Sequence, residues 1–228
     1  MNALALHYHP LSSYCQKVLI ALDELGIDVD RRMLNLGDAA ERSAFLALWP
    51  TGKMPLLIDG ARAVPETTII IEHLQRHHAA AGRALIPSDL DQALDVRLWD
   101  RLFDQYVMTP MQAFTADLLR AEPDRDPLIV AKARKDLVAA YAWLDKRLDG
   151  RTWVAGDAFT MADCAAAPAL FYAVTYVPFA NEHRHLAAYF ARLMDRPSVA
   201  RAIDHAKPWF KFFPNRQALD RRFYDPAT

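Results

Sequence analysis

Apolar and polar positions change their period as the chain proceeds. The run "ALALHY" (3–8) has strand character, and Val18, Leu19, Leu22 and Leu25 then return at helical spacing. Gly26 supplies a C-cap for that helix. A second strand is predicted around "VDRRMLNL" and a helix around "AAERSAFLAL". "PLLIDGARAV" holds two short apolar runs joined by Asp59-Gly60, a two-residue hairpin signal. "PETTIIIEHLQRHH" closes the unit as a helix, with Ile70, Ile71 and Leu74 on one face. The order β-α-β-α-β-β-α predicts a small mixed sheet with helices on its faces. "AAAGRALIPSDLDQ" reads as a linker, and beyond it only helical periods occur. Leu94, Leu98, Leu102 and Tyr106 fall on one face of a helix that Pro110 is expected to kink. "KARKDLVAAYAWLDKRL" and "RHLAAYFARLMD" are further amphipathic helices. The expectation is two domains, α/β over residues 1–81 and all-α over 90–228.

Composition narrows the function classes. Of 228 residues, 53% are hydrophobic and 24% charged, the range of soluble globular chains. The formal net charge of −1 and the lack of a basic stripe argue against nucleic acid or an anionic membrane as partner. Two cysteines, Cys15 and Cys164, are too few for a disulfide framework and suit a reducing, cytoplasmic setting. "MNALALHYHP" has neither the basic start nor the apolar run of a signal peptide. The uncharged stretch "CAAAPALFYAVTYVPFAN" (164–181) is long enough to raise a membrane span. Its alanines, two tyrosines and two prolines favour a buried core helix instead.

Four local features carry candidate chemistry, and each has a plain structural reading. Ser12-Ser13-Tyr14-Cys15 has the spacing of a thioredoxin-like Cys-x-x-Cys with the first sulfur replaced by a hydroxyl. Serine is also a favoured N-cap, and Cys15 shares the apolar face of Val18 and Leu22. Pro55 in "TGKMPLL" suits the start of a strand. Glu66-Thr67 opens a helix, where acidic and hydroxyl residues cap and oppose the dipole. In "WVAGDAFTMADC", Thr160 at the N-cap and Asp163 three residues on form a capping box, with Phe159 and Cys164 placed as its hydrophobic staple.

Taken together, order and spacing resemble the glutathione transferase superfamily. Its "S-x-x-x-x-K-V", "N-P-x-G-K-V-P", "E-S-x-A-I" and "G-x-x-x-T-x-A-D" segments correspond to Ser12 through Lys17-Val18, "WPTGKMP" (49–55), "ETTII" (66–70) and the Thr160/Asp163 segment. Trp49 stands for the usual Asn and Thr67 for the usual Ser. The resemblance implies a thioredoxin-like domain followed by a helical domain, and glutathione as co-substrate without a metal. By resemblance, Ser12 is the catalytic serine and Pro55 the cis-proline. Met54 presents its backbone to glutathione, Glu66 and Thr67 hold the γ-glutamyl end, and Lys53 reaches the glycyl carboxylate. Pro10 and Leu11 precede the site, and Tyr106 and Trp209 are candidate walls of an electrophile pocket. A C2 homodimer is the implied assembly.

That reading answers what a Ser-x-x-Cys site retains. A hydroxyl is no useful base, but it can donate to a thiolate supplied by another molecule. The implied activity is attack of the glutathione thiol on a small apolar electrophile, with peroxide reduction through the same thiolate. A glutathione-dependent disulfide oxidoreductase is the second enzymatic reading, opposed by the hydroxyl at the attacking position. A non-catalytic interaction protein is the third, because "ADCAAAP" also resembles "D-C-x-x-A-P" of stringent-starvation-type regulators that bind RNA polymerase. His73 and His77 stand i, i+4 as metal ligands can, but the sequence places no further ligand beside them, so they read as a solvated helix face. No G-x-G-x-x-G, P-loop or G-x-S-x-G pattern supports nucleotide or serine-hydrolase chemistry.

Overall fold

The segments read as strands form one four-stranded sheet in the computed structural model, which describes residues 4–224. Ala3, at the head of the first predicted strand, lies outside them. Strands β1 (Leu4–Tyr8), β2 (Asp30–Met33), β3 (Leu56–Asp59) and β4 (Arg62–Val64) lie in the order β2-β1-β3-β4. β1 is parallel to β2 and antiparallel to β3. The parallel step needs a crossover, which α1 (Ser13–Leu25) provides. Gly26 ends α1 at φ 67°, a left-handed position that glycine takes without steric cost. Helices α2 (Ala39–Leu48) and α3 (Thr67–His77) complete the expected β-α-β-α-β-β-α order. The hairpin turn sits one residue later than its sequence signal. Asp59 still pairs with Arg62, so Gly60-Ala61 makes the turn, with Gly60 taking the positive φ of 59°. A first turn residue at positive φ is easier for glycine than for aspartate.

Beyond the sheet the described chain is helical: α4 (Leu90–Phe103), α5 (Thr109–Leu118), α6 (Pro127–Leu148), α7 (Met161–Tyr176), α8 (Arg184–Met194) and α9 (Pro197–Ala206). Short 3-10 turns follow at Lys207–Phe212 and Arg216–Ala218. The stretch 164–181 largely forms α7, buried along almost its whole length, and no described helix is long and apolar enough to cross a membrane. The linker is pinned. Leu85 and Ile86 are buried, and both backbone N–H groups donate to Gln75 Oε1 at 2.7 and 2.9 Å.

The α4 stripe faces the other way from a core stripe. Leu94 and Leu98 are 65% and 51% exposed and Tyr106 is 50% exposed, whereas Ala93, Val96, Trp99 and Phe103 are buried. Where the kink is expected, the chain takes a π turn, Asp104–Met108, between α4 and α5. Pro110 has no N–H to give the preceding turn, and the Thr109 N–H bonds back to Asp104 O.

The capping box forms at the head of α7. Asp163 is fully buried and its carboxylate accepts from Thr160 N (2.8 Å), Thr160 Oγ1 (3.1 Å), Val154 N (3.2 Å) and Tyr189 Oη (2.6 Å). Phe159 is buried edge-on against Trp153, under the Arg196 guanidinium. Asp163→Ala strands several buried donors at once, so unfolding in denaturant should show a loss of about 2–4 kcal/mol, above the ~1 of an exposed cap. Burial pushes Asp163 up to about 6 against those donors. The folded state therefore holds the proton more tightly than the unfolded chain, and the group's contribution falls as pH rises from about 4 to 6. The wild type's margin over Asp163→Ala is expected to be widest near pH 4.

Candidate active site

A cleft of about 890 Å³ runs between the sheet domain and the helices. Leu11, Ser12, Ser13 and Tyr14 from the head of α1 line it, with Lys53, Met54 and Pro55 before β3 and Glu66 and Thr67 at the head of α3. Segments separated by up to about fifty residues thus bring six sequence-predicted residues to one surface: Ser12, Lys53, Met54, Pro55, Glu66 and Thr67.

Ser12 is the N-cap of α1, and its Oγ accepts the Cys15 N–H at 3.3 Å. The hydroxyl hydrogen rotates about the Cβ–Oγ bond and can turn toward the Cys15 sulfur or into the cleft, where a thiolate would be the stronger acceptor. Capping and donation are therefore compatible. Ser13 begins the helix, and Gln112 Nε2 lies 3.5 Å from its Oγ. Cys15 is fully buried, and burial pushes its thiol up to about 12 against hydrogen bonds from Ser12 and the backbone of His9. It stays a thiol at neutral pH. Tyr8 is turned elsewhere, with its hydroxyl 2.8 Å from His205 Nε2.

The Met54-Pro55 bond is cis. Lys53 is exposed and pairs with no carboxylate among the described residues. Glu66 is the N-cap of α3, yet its side chain makes no capping bond. Its backbone sits at φ 67°, a region that costs a non-glycine residue about 1–3 kcal/mol. Capping thus fails to explain this glutamate. Thr67 beside it is buried.

Next to the cleft, three charges are buried together. Lys17 Nζ lies 2.6 Å from Asp100 Oδ1 and 3.0 Å from Asp104 Oδ2. Burial alone lowers a lysine pKa, but the two carboxylates outweigh it and hold Lys17 above its ordinary value. Burial raises Asp104 in spite of Lys17. Thr68 donates to Asp100 at 2.5 Å, so the head of α3 is tied to α4 through this group.

The electrophile-pocket expectations divide. Leu11 lines the cleft. Pro10 is buried outside the lining, its carbonyl accepting from Gln16 Nε2 at 2.9 Å. Tyr106 points away, edge-on to Trp143, because the π turn directs Gln105 and Thr109 inward instead. Trp209 packs edge-on to the His9 ring at 4.9 Å and does not reach the lining. The far wall is Asp104, Met111, Gln112 and Thr115 with Tyr172, Phe212 and Phe213. Nothing in the local sequence marks those residues, which lie some ninety to two hundred positions beyond Ser12. The histidine expectation also needs correcting. His73 is buried rather than solvated: its ring packs 4.6 Å from that of His77, and its Nε2 meets the same Asp59 oxygen that His78 reaches. Strand β3 delivers Asp59 to the C-terminal end of α3, a contact the helical spacing does not reveal.

Two family descriptions match in order. The glutathione S-transferase N-terminal domain covers residues 6–82 and the glutathione S-transferase C-terminal domain residues 107–197. A glutathione S-transferase of Pseudomonas putida is 30% identical over 160 residues, 70% of each chain. Glutathione S-transferase 3 of Zea mays is 26% identical over 227 residues, 97% of this chain and 93% of its own. A Methylobacillus flagellatus glutathione S-transferase solved with glutathione bound superposes with a TM-score of 0.78 at 27% identity, covering 88% of this chain and 98% of its own. Sheet domain, helical domain and their order along the chain agree, and the protein belongs to the glutathione S-transferase family.

Proposed function

We propose that this protein is a serine-type glutathione transferase in which Ser12 donates its hydroxyl hydrogen to the glutathione thiolate. The observation that carries this reading is the Ser12 geometry, with Oγ at the cleft lining capping α1 and a rotatable hydrogen that can turn from the neutral Cys15 thiol to a ligand thiolate at the helix N-terminus. The uncapped Glu66 and Thr67 suit the amino and carboxylate groups of the γ-glutamyl end, and Lys53 suits the glycyl carboxylate. Asp104, Gln105, Thr109, Gln112 and Thr115 opposite give the electrophile side a polar flank beside Met111 and Phe213. Peroxide reduction would use the same thiolate. Dithiol exchange by the chain itself is disfavoured by the buried, high-pKa Cys15. Calorimetric titration should give saturable glutathione binding, weakened about tenfold or more in Glu66→Gln through loss of a charge-assisted contact. Turnover of chlorinated aromatics, epoxides or hydroperoxides should follow in a screen. Millimolar glutathione failing to bind would favour the interaction-protein reading.

A homodimer is the second part of the proposal. Leu90, Leu94 and Leu98 on α4 and Ile69 on α3 leave large apolar side chains exposed, and a second copy related by C2 symmetry would cover them. Sedimentation at micromolar concentration should show a dimer that Leu94→Glu/Leu98→Glu converts to monomer. A wild-type monomer there would reject this assembly.

A further inference from the structure

Helix α3 carries the proposed γ-glutamyl contacts at its N-terminus, and its opposite end holds a cluster that this chemistry leaves unused. Asp59 ends β3, His73 lies in the last turns of α3, and His78 follows the helix directly. Both Nε2 atoms stand 2.8 Å from the same oxygen, Asp59 Oδ2, and the three potential ligand atoms lie within 4.8 Å of one another. The His73 ring is held rigidly by burial, whereas Asp59 and His78 open to solvent. The carbonyl end of a helix also favours positive charge.

We infer that Asp59, His73 and His78 form a binding site for one divalent transition-metal ion, Zn²⁺ in the first instance. Two imidazoles and one carboxylate are a borderline donor set that suits Zn²⁺ or Co²⁺, not Mg²⁺ or Ca²⁺. With metal–ligand bonds of about 2.0–2.2 Å, tetrahedral ligation spaces donors about 3.3–3.5 Å apart. Each imidazole must therefore withdraw about half an ångström from Oδ2, which rotation of the partly exposed Asp59 and His78 side chains permits. A neutral imidazole that donates its Nε2 hydrogen to Asp59 becomes a ligand by carrying that hydrogen on Nδ1 instead, so no proton is lost from the ring. Solvent water completes the coordination. The 11 residues of α3 separate this site from Glu66 and Thr67 by roughly 16 Å. Its effect is to clip the end of β3 to the C-terminal end of α3 and the residue that follows it, not to enter the transferase chemistry.

The test uses tag-free, chelator-treated, dialysed protein without glutathione, whose thiol would itself take the metal. Titration with Co²⁺ should produce visible ligand-field bands that saturate at one equivalent, and Zn²⁺ should displace it. A Kd on the order of micromolar, with Zn²⁺ at a hundredfold excess over it, should raise Tm by about 5–10 °C. His78→Asn and Asp59→Asn should each weaken binding at least tenfold and remove the Zn²⁺-dependent rise, while His77→Asn stays within about twofold. Glutathione conjugation by His78→Asn should match wild type. Absence of saturable binding up to about 100 μM metal, or equal binding by wild type and His78→Asn, would overturn the assignment. A lower Tm in the variants without any Zn²⁺ dependence would also overturn it, leaving a hydrogen-bonded brace. Because His78 is partly exposed, its variant decides the matter even where His73→Asn does not fold.

Discussion

Lys17→Met is expected to destabilise the protein by about 3–5 kcal/mol, the largest loss among the substitutions considered. Its ammonium is fully buried between Asp100 and Asp104, at 2.6 and 3.0 Å. Methionine fills much of the volume but leaves Asp100 without its cation and Asp104 with only the half-exposed Arg101 guanidinium at 3.8 Å. Breaking such a group by removing one partner costs far more than the intact group is worth, because the remaining charges stay desolvated. A total stability of about 5–15 kcal/mol is usual for a domain, so the variant should unfold at markedly lower urea, followed through its tryptophans. The double variant Lys17→Met/Asp100→Asn should recover part of the loss, as coupled neighbours do. Acidification should narrow the deficit as well. Burial already raises Asp104, and without Lys17 it gains a proton more readily in the folded state, so the penalty is greatest well above the ordinary carboxylate range and shrinks as pH falls. A loss below about 1 kcal/mol at pH 7 would mean that the group contributes no net ion pairing.

Ser12→Ala is expected to reduce glutathione conjugation near neutral pH by roughly ten- to a hundredfold, with glutathione affinity retained through Glu66, Thr67 and the Met54 backbone. An ordinary thiol with pKa about 8.5 is only a few per cent ionised at pH 7. Lowering that by about two units takes roughly 2.7 kcal/mol of preferential thiolate stabilisation. A charge-assisted hydrogen bond supplies about 1.5–3 kcal/mol and the helix N-terminus about 0.3–1. Removing the hydroxyl raises the bound thiol's pKa, so the rate should climb with pH in Ser12→Ala where the wild type has levelled off. The substitution also deletes an N-cap, worth about 1 kcal/mol, which appears in Tm and not in the pH–rate profile. An unchanged pH–rate profile would reduce Ser12 to a helix cap. Ser13, beside Gln112, would then be the donor to examine, since Tyr8 is committed to His205.

Local pattern carried much of this protein's description. The period changes from strand to helix, Gly26 as a C-cap and the Thr160/Asp163 box are short-range features whose partners lie within a few residues. The buried α7 was legible for a similar reason, because a stretch without charges has little alternative to burial. The motif order identified the sheet-side wall of the cleft from Ser12 to Thr67.

Other decisions belonged to the tertiary structure. Periodicity shows that α4 has an apolar stripe, but not whether Leu94 and Leu98 or Val96 and Phe103 face the core; packing against α7 settles that. The π turn before Pro110 shifts the helical register, which moves Tyr106 out of the cleft and brings Gln105 and Thr109 in. Trp209 stops against His9 because the chain after α9 winds through a 3-10 turn that no distant residue announces. Asp59 joins His73 and His78 only because β3 ends beside the end of α3. Spacing along the chain determines which side chains share a face, whereas long-range contacts determine what that face meets.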